Sequence, residues 1–89
     1  MTWNDSQIKG KILHKLTRKG KFEHSHTAFE NLAKSFPPDL KGRVKEISEE
    51  LIKEGILYLK KTGYGKHVSI NIEKKEKIME YIGKFMGKD

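Results

Sequence analysis

A short basic segment in the second half of the chain carries the side chains best suited to binding a ligand. Lys60, Lys61 and Lys66 surround the tip of a predicted hairpin, which also holds Tyr64 between two glycines and is followed by His67. Ammonium groups bind phosphate oxygens, and an aromatic ring with a polar end can lie against a sugar or enter a groove. The alternative is a solvated hairpin whose lysines discourage aggregation between sheet edges.

A second group of candidates lies at the start of a predicted helix. Lys41, Gly42, Arg43 and Lys45 fall on the face opposite its apolar side, or at the margin of that face. Arg43 and Lys45 are candidates for base or phosphate contacts, because a guanidinium bound to guanine is the commonest specific contact. The alternative is an ordinary charged surface in which both cations pair with glutamates about one turn further along.

Two further groups could bind phosphate. Lys11, Lys15 and Arg18 gather along one edge of the first predicted helix. His26 and Thr27 stand at the predicted start of the second helix, where free backbone amides and the helix dipole attract anions. Capping of the helix would by itself explain Thr27.

The histidines are the only candidate metal ligands with suggestive spacing. His24 and His26 are two residues apart, so in an extended segment they would point the same way and could share a metal ion. A zinc site needs further ligands, and the chain has no Cys and no clear third ligand. No catalytic triad, phosphate-binding glycine motif or carboxylate pair stands out. We therefore expect no metal, no cofactor and no enzyme activity.

Length and charge restrict the class of protein. The 89 residues are enough for one domain with one core, and the net charge of +7 is concentrated in the first helix and the hairpin. Such a charge favours phosphate polymers or anionic membrane surfaces, or reflects only a lysine-coated exterior. The absence of Cys is compatible with a reducing cytoplasm, where we expect the protein. No apolar run approaches the roughly 20 residues that span a bilayer.

The order of apolar, Gly and Pro residues predicts the elements that position these candidates. Capping boxes at residues 2–5 and 27–30 mark two helix starts, Gly20 and Gly55 mark two helix ends, and residues 62–66 form a five-residue hairpin loop. The predicted elements are a helix over 1–19, a short strand over 21–24, a helix over 27–36, a helix over 39–55, a hairpin over 56–72 and a helix over 73–86.

The last helix carries a wider apolar sector than packing on one small core requires. That sector includes Ile78, Met79, Tyr81, Ile82 and Phe85. A homodimer through this helix would give two-fold symmetry and paired binding surfaces. The alternative is a helix that only closes the core of its own domain. We expect the homodimer.

The order of elements resembles the winged-helix superfamily, and small archaeal DNA-binding proteins and regulators in particular. The residues that carry the resemblance are the third helix, from Val44 through Gly55-Ile56-Leu57, and the basic hairpin from Lys60 to Val68. The resemblance implies an α+β fold with a three-helix helix-turn-helix core, a short strand, a hairpin wing and a fourth helix. It also implies that the third helix enters the major groove of DNA and that the wing touches the backbone or the minor groove.

The resemblance and the charge pattern together lead us to expect a protein that binds double-stranded DNA, as a transcriptional regulator or a chromatin-associated factor. Winged helices also serve as protein-interaction modules, which is the main alternative. RNA or single-stranded DNA is a third, although one aromatic residue in the wing is fewer than a stacking platform usually has.

Overall fold

The computed structural model describes residues 3–22 and 25–87. Its elements in chain order are α1 (Asp5–Arg18), β1 (Thr27–Ala28), a 3-10 helix (Phe29–Ser35), α2 (Lys41–Lys53), β2 (Leu57–Thr62), β3 (Gly65–Ile70) and α3 (Lys75–Phe85). A short 3-10 turn immediately precedes α2 and another precedes α3. The predicted α+β class is confirmed, with helices packed on a small antiparallel sheet.

The ends of the long helices follow from local signals. The Asn4 side chain accepts a hydrogen bond from the backbone N–H of Gln7, and the Gln7 side chain accepts one from the Asn4 N–H, so these two residues form the capping box of α1. The predicted box at residues 2–5 is wrong in register, and Thr2 lies outside the described residues. Gly20 and Gly55 end α1 and α2 as predicted, both with positive φ.

The second helix differs from the prediction of an α-helix over residues 27–36. Thr27 and Ala28 form β1, and a 3-10 helix follows without a side-chain cap. Thr27 cannot cap because its backbone is paired with Val68 of β3, while its hydroxyl accepts a hydrogen bond from the Asn31 amide. The predicted capping box at residues 27–30 is therefore wrong.

The sheet has the order β1-β3-β2, with both pairings antiparallel. The strand predicted over residues 21–24 appears only as a single bridge between Phe22 and Ile70, and residues 23 and 24 lie outside the described residues. Thr62 pairs directly with Gly65, so the hairpin tip is Gly63-Tyr64 and the predicted five-residue loop is wrong. The turn is tighter because the Thr62 hydroxyl accepts from the Tyr64 N–H and donates to the Gly65 carbonyl.

One cluster of buried apolar side chains lies between the helices and the sheet. Its members are Ile8, Ile12, Leu13, Leu16, Leu32, Phe36, Val44, Ile47, Leu51, Ile56, Leu57, Val68, Ile70, Ile78, Tyr81 and Ile82. The cluster includes the apolar faces of α1 and α2, whereas Leu40, just before α2, is only half-buried at its edge. No helix in residues 3–22 or 25–87 combines the length and apolarity needed to cross a bilayer.

A polar contact also joins the three α-helices. Glu54, at the end of α2, accepts hydrogen bonds from the Lys9 ammonium of α1 at 2.8 Å and from the Tyr81 hydroxyl of α3 at 2.9 Å. Burial alone would raise the pKa of Glu54, but these two bonds and the nearby Lys9 charge lower it below its ordinary value. Burial alone would lower the pKa of Lys9, but Glu54 and Tyr81 raise it above its ordinary value.

Candidate nucleic-acid interface

A groove of about 500 Å³ separates the 3-10 helix from the N-terminal half of α2, and we call it the α2 groove. Its lining residues are Phe29, Glu30, Leu32 and Ala33 from the 3-10 helix, Lys41, Gly42, Val44, Lys45 and Ser48 from α2, and Lys66 from β3. Apolar side chains therefore line much of a groove that also carries three lysines and one carboxylate.

The lysines of the α2 groove come from two separate parts of the chain. Lys41 and Lys45 are exposed on α2, as predicted from the helix periodicity. Lys66 extends from the hairpin over the 3-10 helix, where its ammonium lies 5.5 Å from the centre of the Phe29 ring. Among the described residues, these lysines have no carboxylate within ion-pair distance, and the predicted alternative pairing of Lys45 with Glu49 is not observed.

The hairpin presents a concentrated positive charge beside this groove. Lys61 and Lys66 are directly opposite each other in the β2–β3 ladder. Because side chains alternate along a strand, they continue the face that buries Leu57, Val68 and Ile70 nearer the core. Like charges in directly opposed positions are destabilising, so this pair lowers the stability of the hairpin.

Lys60 and Tyr64, also near the hairpin tip, are open to solvent. Lys60 points to the opposite face from Lys61 and pairs in register with His67. Tyr64 at the tip is 97% exposed, so its ring has almost no contact with the rest of the described chain. A ring in this position can contact a surface that lies against the hairpin tip.

Arg43 is engaged within the chain. Its guanidinium donates to the Asp5 carboxylate of α1 and lies 3.8 Å from Glu46. The hydrogen bond with Asp5 raises the pKa of Arg43, and the charges of Asp5, Glu46 and Glu50 add to this effect. The alternative given for Arg43, a pairing with a glutamate about one turn further along, is observed with Glu46, whereas a contact between Arg43 and a base would require the bond to Asp5 to break.

His26 and Thr27 do not lie at the start of an α-helix. Their predicted role in a helix N-terminal anion site has lost its basis, because β1 and a short 3-10 helix replace the predicted helix. His26 instead contacts His67 of β3, with their Nδ1 atoms 3.1 Å apart and one ring donating to the other. His24 is outside the described residues. Among those described, no group of three or more His, Asp or Glu could hold a metal ion.

The basic edge of α1 faces a second cleft, which we call the α1 cleft. It has a volume of about 540 Å³ and shares no lining residue with the α2 groove. Lys15 and Arg18 line it, as does Lys11. The Lys11 ammonium donates to the Ser35 carbonyl at 2.8 Å and lies near the rings of Trp3 and Phe36, so this lysine also connects α1 to the 3-10 helix.

Most of the residues predicted for a dimer interface already pack within the chain. Ile78, Tyr81 and Ile82 belong to the core, and Phe85 is half-buried against Trp3 and His14. Met79 is 57% exposed. The homodimer stays a prediction, and the apolar sector on which it was based is largely used by the contact between α1 and α3.

Sequence reasoning did not find several residues that shape these clefts. Phe29, Leu32, Ala33 and Ser48 were assigned no role in binding, yet they line the α2 groove. Their location depends on how the 3-10 helix packs against α2, and no local pattern encodes that.

Comparison with models of protein families, with curated proteins and with solved structures gives no match for this chain. The assignment of a function therefore depends on its own geometry.

Proposed function

We propose that the chain is a winged-helix domain that binds double-stranded DNA in the cytoplasm, as a transcriptional regulator or a chromatin-associated factor. The N-terminal half of α2 and the β2–β3 hairpin form the binding surface. Lys41, Gly42 and Lys45 approach the duplex from α2, while Lys60, Lys61, Tyr64 and Lys66 approach it from the hairpin.

The observation that carries this proposal is the opposition of Lys61 and Lys66 in the hairpin ladder. This pair of like charges has no nearby carboxylate among the described residues, so it lowers the folding stability of the protein when no ligand is bound. A bound polyanion removes that repulsion because its phosphates neutralise the two lysines. The polyanion also releases the counterions that were condensed on those phosphates. The same hairpin carries the most exposed aromatic ring of the described chain, which suits contact with a sugar or with the minor groove.

The shape of the α2 groove is compatible with a duplex. Its lysines can bind phosphates, and its apolar floor can contact a thymine methyl group or the apolar faces of sugars. Gly42 is exposed with open space around its Cα, so the backbone of the first turn of α2 can approach a phosphate closely.

A salt titration of duplex binding tests the proposal. For the unmodified chain, raising salt from about 50 to 200 mM should weaken binding to a random duplex by orders of magnitude, with a slope of about 0.9 per phosphate neutralised. The double variant Lys61→Gln/Lys66→Gln should bind more weakly at low salt, and its slope should be smaller by about 2.

The matched control is Lys74→Gln/Lys75→Gln. Both lysines are exposed just before or at the start of α3, near Gly55 at the other end of α2, and the charge change is the same. An affinity that does not depend on salt would contradict the proposal. So would equal losses in the two double variants, since net charge alone would then explain the binding.

The apolar floor of the α2 groove also favours a second candidate, a protein partner that places an apolar side chain there. The exposed Glu49 separates the two candidates. Neutralising it with Glu49→Gln should leave duplex affinity unchanged or raise it, because a carboxylate near phosphates is repelled. A protein partner that docks on the acidic half of α2 should instead lose affinity.

A further inference from the structure

The α1 cleft is a concave, basic site that lies apart from the proposed DNA-binding surface. Its cations are Lys11, Lys15, Arg18 and Lys19, and among the described residues that line it none carries a carboxylate. Its volume of about 540 Å³ is within the range of sites for small molecules. His14 and the half-buried Phe85, whose ring centres are 5.9 Å apart, add an aromatic wall.

The positive charges of this cleft are packed closely enough to repel one another. Burial lowers the pKa of the Lys15 ammonium below its ordinary value, and the charges of Lys19, Lys11 and Lys34 lower it further. In the described residues, none of these four lysines forms an ion pair. The fold therefore holds several uncompensated cations around one half-buried amine.

A buried hydroxyl in the same cleft lacks a hydrogen-bond partner. The Ser35 side-chain oxygen is shielded from solvent, and it has no partner among the described residues. Because this oxygen is shielded from solvent, an oxygen atom in the open cleft does not come within hydrogen-bond distance of it, and the serine belongs to the wall of the cleft. Lys11 fixes the position of this serine through its bond to the Ser35 carbonyl.

We propose that the α1 cleft binds a phosphate group, with Lys15, Arg18 and Lys19 neutralising its charge. The aromatic wall and the volume of the cleft suit a nucleoside phosphate. A backbone phosphate of nucleic acid offers the same chemistry and is the other source. The inference does not depend on the proposed DNA-binding surface, because the α1 cleft shares no lining residue with the α2 groove.

The test is a titration of the whole chain with pyrophosphate, and separately with adenosine monophosphate, followed by the backbone amide resonances in NMR spectra. Resonances of residues 14–19 and of Ser35 should shift and saturate. Lys15→Gln/Arg18→Gln should weaken binding at least about tenfold, because charge-assisted contacts are lost. Lys74→Gln/Lys75→Gln, with the same charge change outside the cleft, should bind as the unmodified chain does.

Ser35→Ala separates a binding role from a structural one. Removing an unsatisfied buried hydroxyl should leave thermal stability unchanged or raise it, and phosphate binding should stay unchanged because the cations of the cleft carry it. The proposal would be overturned if no resonance near the cleft shifted and saturated. It would also be overturned if Lys15→Gln/Arg18→Gln and Lys74→Gln/Lys75→Gln bound phosphate equally well.

A short duplex added to the nucleotide-saturated chain identifies the source of the phosphate. If the duplex displaces the nucleotide from residues 14–19, the cleft takes a backbone phosphate. If both ligands bind together, the cleft takes a separate nucleotide. Weak duplex binding by Lys61→Gln/Lys66→Gln with intact pyrophosphate binding would show that the two surfaces act independently, so failure of one proposal is distinct from failure of the other.

Discussion

Gly10 of α1 lies directly against the backbone carbonyl of Tyr81 in α3. A Cβ atom built on Gly10 would stand 2.1 Å from the Tyr81 oxygen and 2.5 Å from the Cβ of Phe85, both closer than van der Waals contact allows. Glycine in the interior of a helix ordinarily lowers the stability of that helix. Here it lets two helices approach at backbone distance.

We expect Gly10→Ala to destabilise the protein although alanine is the better helix former. The helix gains about 1 kcal/mol from the exchange, but overpacking against a backbone atom typically costs 1–3 kcal/mol, and here the clash is severe. Urea unfolding should give a lower free energy of unfolding. Gly42→Ala is the matched control, because nothing lies within 4 Å of its Cβ position. Equal stabilities of the two variants would contradict the close approach.

The contact of Glu54 with Lys9 and Tyr81 predicts how stability depends on pH. The folded-state pKa of Glu54 is lowered from its ordinary value of 4.5, so its contribution is present above pH 4.5 and is lost as pH falls through the lower folded-state value. The pKa of Lys9 is raised from 10.5, so its contribution is lost only as pH rises above that value.

The variant Glu54→Gln should lower the free energy of unfolding at pH 7 by roughly 1.5–3 kcal/mol, because the Lys9 ammonium, whose side chain is 11% exposed, loses the nearer of its two carboxylate partners and keeps only Glu50 at 3.5 Å. The difference from the unmodified chain should shrink as pH falls below 4.5 and through the lowered folded-state pKa of Glu54. Denaturant unfolding across pH measures it, with the exposed Glu49→Gln as control. A constant difference at all pH values would contradict this account.

We expect Lys61 to lower the folding stability of the hairpin and to raise its affinity for duplex DNA. Lys61→Glu places a carboxylate opposite Lys66, which converts repulsion to attraction and should stabilise the hairpin by about 0.2–1 kcal/mol. The same change should weaken duplex binding, since a phosphate-binding cation becomes an anion. Thermal melting and duplex titration measure the two effects, with Lys75→Glu as control. Loss of both stability and affinity would point to a misfolded hairpin instead.

The homodimer prediction can be tested at two positions of α3. Because Ile82 is buried in the core, we expect Ile82→Glu to unfold the chain, as judged by circular dichroism. Met79→Glu should stay folded, because Met79 is exposed, and should give a monomer if α3 forms a dimer interface. Sedimentation at tens of micromolar measures the state. A folded Ile82→Glu monomer would mean that this residue belongs to a dimer interface and not to the core.

The sequence predicted those parts of the fold whose signals are local. Val44, Ile47 and Leu51 recur at helical spacing, and Gly55 follows them, so α2 and its end were correct. The short β1 strand and the 3-10 helix were missed, because β1 exists only through its pairing with β3. That partner lies about 40 positions further along the chain, as the contact of His26 with His67 across 41 positions illustrates.

The candidate site was predictable as single residues but not as a surface. Lys41, Lys45 and Lys66 were each expected to be exposed and basic, and each is. Their meeting around one groove depends on tertiary packing. The bond between Arg43 and Asp5, 38 positions apart, is likewise invisible to a pattern that compares residues one helical turn apart.

Because β3 lies between β1 and β2 in the sheet, we expect these two strands to pair with it one after the other during folding. β2 and β3 adjoin through a two-residue tip, so their hairpin needs only local closure and forms within about 1–10 microseconds in isolated hairpins. β1 must close a much longer loop before it can cover the other edge of β3. Until then that edge presents unpaired N–H and C=O groups to other chains. We therefore expect the two residues of β1 to pair late in folding and then to shield His67 and Val68 of β3 from pairing with other chains.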